Sequence, residues 1–306
     1  MSQPDAPTPR PRWALALRVM IGALAVAFVV WTFARLLRQV DFATLQVAWL
    51  WVALSLLPLV VGVYVLAYAF AVLLGRLSHE PVPIGLTMSV HVESQLARYT
   101  PGKVGVPLVR FAAAQQLGVT RTTMASAIGI EALCFLAVGG ACGLSLLVLT
   151  SGHAPAGVGE QVAWLTPVVI VFAIGVLALA VVDRRLFPRA ILHALKITGE
   201  GALVPAVLLP LHAAYWVCWM LHGFCVSYAV GAPPSLALAS TGLYVLAPIV
   251  GFLALVAPAG AGVREALLTA GLAPGIGATA ALSAAVLSRM VSVLVDFGTW
   301  LASRRR

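Results

Sequence analysis

The sequence predicts an all-α, polytopic helical membrane bundle made of two inverted-topology repeats, each with an interrupted or re-entrant helical hairpin. Three observations predict it. Of the 306 residues, 61% are hydrophobic and 9% charged, and mean hydropathy is +1.02. A soluble domain carries about 25% charged residues, so this chain lacks the polar groups to coat a water-facing surface. Apolar runs of about 20 residues, the length of a helical span, recur along it, and two semi-polar stretches interrupt them at corresponding places. Six to eight such spans, at about 20 residues each, would use most of the chain and leave loops but no folded soluble domain. Water-soluble enzyme classes are thereby excluded, and any chemistry belongs in or at the bilayer.

The elements follow in order. Residues 1–12 are Pro-rich and read as a disordered cytoplasmic tail. Trp13 opens an apolar run that continues to about Leu37, too long for a signal-peptide core, so it reads as an uncleaved first span over 14–34. Arg10, Arg12 and Arg18 at its start place the N-terminus in the cytoplasm, while Arg35 and Arg38 at its outer end are exceptions to the rule. A second span covers 48–74, with a kink expected at Pro58 and Arg76 marking an inside end. Residues 80–119 are semi-polar: short helices over 84–99 and 104–117 flank Thr100-Pro101-Gly102, and neither is apolar and long enough to cross cleanly. Irregular backbone at membrane depth is tolerated only where protein or a wet cavity surrounds it, which gives a re-entrant hairpin.

A third span covers 122–150, and the loop after it, 151–161, contains no Lys or Arg and fits outside. A fourth span, 162–182, runs into Asp183, Arg184, Arg185, Arg189 and Lys196, an inside cluster. Arg185, Arg189, His193 and Lys196 share one stripe, as in an interfacial amphipathic helix. A fifth span covers 202–230, followed by the uncharged loop 231–235. The stretch 236–273 is interrupted at 257–262, and the last span, 276–301, ends in Arg304-Arg305-Arg306. A hairpin over 236–273 entering from outside puts that basic end in the cytoplasm; a full crossing by 236–256, which is long enough to span, would put it outside. The hairpin obeys the positive-inside rule. Both termini are then cytoplasmic in a multi-pass protein of a cell membrane, of the bacterial cytoplasmic kind. Residues 13–302 form one transmembrane domain, with repeat one over about 13–150 and repeat two over about 160–302, and 303–306 is a basic cytoplasmic tail.

The net charge of +9 comes from 17 Arg and 2 Lys against 10 acids. Cytoplasmic loop bias explains it better than nucleic acid, which is not expected as a partner; anionic lipid headgroups are. Cys134, Cys142, Cys218 and Cys225 lie in apolar segments without a CxxC, so neither a zinc site nor a redox pair is indicated. His79-Glu80 does not continue into HExxH, and P-loop, dinucleotide and nucleophile-elbow motifs do not occur. No metal, cofactor or catalytic residue is expected.

The two interruptions align. PGKVGV at 101–106 matches PAGAGV at 258–263 through Pro101 and Pro258, Gly105 and Gly262, Val106 and Val263; Gly102 and Gly260 complete the turns. Each half reads span, span, hairpin, span, the first starting inside and the second outside. Such inverted repeats build many transporters, with the site where broken helices meet.

Charges at membrane depth are costly and usually functional. Glu93, Arg98, Lys103 and Arg110 lie in the first hairpin and Arg264 and Glu265 in the second; Glu131 lies within the third span, and Arg289, with Asp296 seven residues on, within the last. Two readings stay open. The charges neutralise one another and lock the bundle, as a Glu131–Arg289 pair would. Alternatively they line a mildly cationic cavity suited to a phosphate-bearing headgroup, which Arg can hold through two parallel hydrogen bonds. His212 and His222, near Trp216 and Trp219, are expected to be packing histidines, and Gly139 and Gly143 a close helix contact.

The run Glu93-Ser94-Gln95-Leu96-Ala97-Arg98-Tyr99-Thr100-Pro101-Gly102-Lys103-Val104-Gly105, with Arg110 and Leu117-Gly118-Val119 after it, resembles the transmembrane region of lysylphosphatidylglycerol synthases, the flippase-like domain family. Glu131 takes the place of the Glu on that family's following helix, Pro258–Glu265 resembles its second turn, and Arg289 resembles the Arg of its last helix. The resemblance covers roughly 14–301. It implies movement of a phospholipid or a polyprenyl-linked glycolipid between leaflets. The family's soluble aminoacyl-transferase domain has no counterpart in these residues, so lipid aminoacylation is not expected. Three functions compete: a lipid translocase; a non-catalytic partner or scaffold for a separate glycosyltransferase or lipid synthase, docked through 184–199 and the basic tail; and a lipid-modifying membrane enzyme with Glu131 or Glu93 as general base.

Overall fold

A computed structural model describes residues 46–78, 81–99, 104–150, 207–254 and 257–304, with isolated positions at 27, 30, 34, 38, 167, 171 and 174. The expected first and fourth spans, the amphipathic stretch 184–199, the 1–12 tail, and Pro101, Gly102 and Lys103 lie outside the described residues.

Every regular element among the described residues is helical. α1 (Trp49–Leu54) and α2 (Leu56–Leu77) form one apolar span broken at Ser55. The break has a local cause. Pro58 has no N–H, and its ring crowds the carbonyl four residues back, that of Leu54. α3 (Ile84–Leu96) tightens into a 3₁₀ turn, Ala97–Tyr99, and the chain returns as α4 (Gly105–Ala113). α4 is shorter than the sequence suggested, because turns closed by Gly118 at φ 70° follow it. α5 (Arg121–Leu149) is capped by Thr120, whose Oγ1 accepts the Thr123 N–H at 3.1 Å. α6 (Leu208–Ala229), α7 (Pro234–Ala239) and α8 (Thr241–Leu253) follow, then a 3₁₀ turn at Pro258–Gly260. α9 (Val263–Ile276) and α10 (Ala278–Ser303) complete the chain.

Among the described residues five segments are long and apolar enough to cross a membrane: 49–77, 121–149, 208–229, 234–253 and 278–303. Leu50, Leu57, Leu149, Leu253 and Leu294 point outward, the pattern of a lipid-facing surface.

Both interruptions are hairpins. Arg110 of α4 reaches back to Ser94 of α3 at 3.0 Å. α9 runs back along α8, with Gly271 against Leu243, Gly275 against Leu236, and Gly251 against Gly260. The segment 234–276 thus doubles back on itself, although its first arm is also long enough to cross. α2 and α6 run antiparallel: Trp51 packs on Tyr228, Ser55 lies near His222, and Gly62 near Cys218. α5 runs antiparallel to α8, Thr150 meeting Ala239 and Gly143 meeting Leu246. Exchanging α2 with α6, α3 with α8, α4 with α9 and α5 with α10 maps the main helix contacts onto one another: α2–α3 onto α6–α8, α3–α10 onto α8–α5, and α2–α10 onto α6–α5.

The second turn is tight enough to require glycine. Gly260 sits at φ 70°, and a Cβ there would lie 2.6 Å from the Gly251 Cα. Gly260→Ala is expected to destabilise the protein by about 1–3 kcal/mol through forced backbone displacement, read as a lower Tm in detergent. Gly298→Ala, where a Cβ meets nothing within 4 Å, is expected to leave Tm unchanged or slightly raised.

Candidate functional site

α10 holds both broken turns. Asp296 pairs with Arg98 and accepts the Tyr99 hydroxyl at 2.5 Å, which fixes the first turn. Arg289, on the same helix, donates from Nη1 to the Ala259 carbonyl at 2.8 Å, which fixes the second. Ala259 adopts φ 47°, a left-handed conformation that costs an ordinary residue roughly 1–2 kcal/mol; the Arg289 bond secures the carbonyl that this geometry turns inward. Glu265 then orders the start of α9. Its Oε2 accepts the Gly262 N–H at 2.6 Å, and its Oε1 lies 3.8 Å from Arg289 Nε. The guanidiniums of Arg98 and Arg289 both approach the Tyr99 ring, at 5.4 and 5.6 Å. The two turns touch one another, with Tyr99, Leu96 and Ala259 packed around Val293 of α10.

A second charged cluster joins α3, α4 and α5. Arg110 stacks over Phe70 at 4.2 Å. Its Nη1 pairs with Glu131 Oε2, its Nε donates to Ser94 Oγ at 3.0 Å, and its Nη2 lies 3.0 Å from His91 Nδ1. Glu131 Oε1 lies 3.4 Å from the same Nδ1 and has no hydrogen-bond partner.

A small cavity separates the two clusters. His91, Gln95, Arg98, Ser292 and Asp296 line its polar side, and Tyr215 and Trp219 form part of the other. It has room for about one or two water molecules. Arg264 of α9 is buried, with its guanidinium 5.1 Å from the ring of Trp219, one of the residues that line this space. Its Nε has no hydrogen-bond partner, and no carboxylate pairs with it among the described residues. Arg98 with Asp296, Arg110 with Glu131, and Arg289 with Glu265 account for the other charges. Among the described buried arginines, Arg264 is the cation left over.

Residues 15–297 match the family model described as the lysylphosphatidylglycerol synthase TM region. The chain belongs to this family. No curated protein matches it. Family membership and five apolar helices make it a multi-pass membrane protein.

Within this lysylphosphatidylglycerol synthase TM region, most of the residues singled out in the sequence converge. Arg98, Arg110, Glu131, Arg264, Glu265 and Arg289 come together around the two turns and the cavity. Gly105 opens α4, Pro258 opens the second 3₁₀ turn, and Gly260 and Gly262 take positive φ. Glu93 is exposed on the opposite face of α3 from His91 and Ser94. A Glu131–Arg289 pair does not form. α5 and α10 are not principal packing neighbours, so each residue takes a partner on its own hairpin. His212 and His222 do pack as core histidines: His212 Nδ1 meets the Leu208 carbonyl at 2.8 Å, and His222 Nε2 meets Ser288 Oγ at 2.9 Å. Gly139 receives the Trp216 indole, the close contact its spacing suggested.

Sequence reasoning missed His91, Gln95 and Tyr99. A signal existed: His91, Ser94, Gln95 and Arg98 fall at i, i+3, i+4 and i+7, one polar stripe of a helix.

The Arg110–Glu131 pair is buried, so breaking it differs from removing it. Glu131→Gln leaves Arg110 uncompensated, at an expected cost of about 3–5 kcal/mol. The double substitution Arg110→Met with Glu131→Leu is expected to recover most of that loss. Thermal unfolding of the two variants in detergent checks the contrast.

Proposed function

We propose that the protein is a lipid translocase, moving an anionic headgroup of a phospholipid or polyprenyl-linked glycolipid between leaflets through the space between its two hairpins. Arg264 carries this reading. An unpaired buried cation costs several kcal/mol, and a guanidinium presents donors suited to two phosphate oxygens. A purely structural charge would have acquired a carboxylate, as the three neighbouring arginines have. Arg98, at the cavity, is the second phosphate contact, and Trp219 and Tyr215 give the headgroup an apolar wall.

The acyl chains stay in the bilayer. The cavity is too small for a headgroup, so transport requires the turns to part. Separation breaks the contacts of Arg98 and Tyr99 with Asp296, and that of Arg289 with Ala259. The antiparallel α2–α6 pair and the exchange pattern of helix contacts support two inverted repeats, which would rock against one another. The cycle involves no covalent chemistry and no nucleotide; it runs downhill or is driven by an ion.

Arg264→Met separates function from folding, because Arg264 has no ion-pair partner to orphan among the described residues. Its Tm is expected to equal or exceed that of the wild type. Transport of a fluorescent phosphatidylglycerol in reconstituted liposomes is expected to fall by about tenfold or more, the loss of a charge-assisted contact. Wild-type transport by a folded Arg264→Met protein would refute the assignment.

A further inference from the structure

We propose that His91 is a proton-binding site whose occupancy is coupled to the position of Arg110, and hence to anion binding in the adjacent cavity; this rests on the translocase reading and names its driving ion. The ring is fully buried yet lines the cavity. Every element packed against it presents a group to account for. α2 presents the Phe70 ring, at 5.5 Å and uncharged. α4 presents Arg110 and α5 presents Glu131. α6 presents His212 and the cavity-lining Tyr215, the first turn presents Arg98, and α10 presents Asp296 across the cavity. On its own helix Gln95 contacts Nε2 at 3.0 Å.

A neutral imidazole has one N–H and one acceptor nitrogen. Arg110 Nη2, which can only donate, lies 3.0 Å from Nδ1, so Nδ1 is the acceptor. Nε2 then carries the proton; the Gln95 amide nitrogen lies 3.0 Å from it and the amide oxygen 3.5 Å from Arg98 Nη1, so accepting this proton requires the Gln95 amide to rotate by half a turn. A second proton can enter only at Nδ1. There it faces a cationic donor on one side and the Glu131 Oε1 atom on the other, 3.4 Å away and otherwise without a hydrogen bond. The ring therefore takes the proton as Arg110 Nη2 withdraws, and Nδ1–H then donates to Glu131 Oε1. One proton is added and no covalent bond other than N–H forms.

Two consequences follow from that exchange. The charge of the His91, Arg110 and Glu131 group rises from zero to +1 beside a cavity that Arg98 already lines, with Arg264 behind its Trp219 wall, so an anionic headgroup and the proton favour one another. Arg110 also loses one of its ties to α3, which loosens the first hairpin. Proton and anion then bind together, as a symporter requires, and by linkage each tightens the other equally.

The test is calorimetric titration of dioctanoyl phosphatidylglycerol into the full-length protein in nanodiscs, near pH 6.5, in two buffers of different ionisation enthalpy. The wild type is expected to take up a sizeable fraction of one proton per lipid bound, and to bind about fivefold or more tightly at pH 5.5 than at pH 8. His91→Gln is expected to bind the lipid with no uptake and no pH dependence. Lipid binding by the wild type without proton uptake would overturn the proposal, as would uptake that persists in His91→Gln. If the lipid does not bind at any pH, the translocase reading fails separately. The side-chain ¹⁵N signal of wild-type His91, identified by its contact with the Phe70 ring, then decides. Titration between about pH 5 and 8 supports the proton site, and a ring that stays neutral throughout overturns it. A His91→Gln chain that does not fold leaves the same wild-type titration to decide.

Discussion

Arg289 and Asp296 stand seven residues apart on one side of α10, and each closes one of the two broken turns. The rest of the site depends on this clasp. Backbone that leaves a helix at membrane depth has no water to satisfy it, so its polar groups need protein partners. The Ala259 carbonyl finds Arg289, and the Gly262 N–H finds Glu265, itself beside Arg289. At the first turn, Arg98 and Tyr99 share the carboxylate of Asp296. One helix thereby brings two interruptions into contact, far apart in sequence, and leaves a polar gap beside them. The clasp is ionic and lies against a cavity, so it closes the site without sealing it permanently as a packed apolar seam would.

The same charges divide into two kinds. Three arginine–carboxylate pairs are locks. Replacing such a pair with apolar residues is often neutral, whereas removing one partner is severe, so their value lies in specifying register rather than in raw stability. Arg264 is different. Its aliphatic stem packs on Gly251, its head lies beside Trp219, and no carboxylate answers it among the described residues. Both readings of the sequence charges thus have a place, lock for most and site for Arg264 with Arg98, which serves both, and His91 links the two through its contact with Arg110.

Much of the fold was legible in the sequence. Hydropathy marked the spans, and Pro and Gly marked the breaks, because backbone limits at these residues act locally: the α1–α2 break follows from Pro58, and the second turn from Gly260 and Gly262. Charge partners were not legible. Glu131 and Arg289 each sit deep in a span, and nothing in their spacing shows that α5 and α10 are not close neighbours. His91 was overlooked for a related reason. Alone it reads as a core histidine, and its role depends on Arg110 and Glu131 arriving from two other helices. Glu93 shows the reverse error. It belongs to the same charged run as Arg98, but its position on the helix turns it away from the polar stripe.

The central claim is that Arg264 is left unpaired in order to meet a lipid phosphate. Native mass spectrometry of lipids that co-purify with the wild type and with Arg264→Met tests it most directly. The account predicts one class of phosphate-bearing lipid retained by the wild type and lost from the variant, with the bulk lipids unchanged. The same lipid profile in both proteins would contradict it and make Arg264 a structural charge.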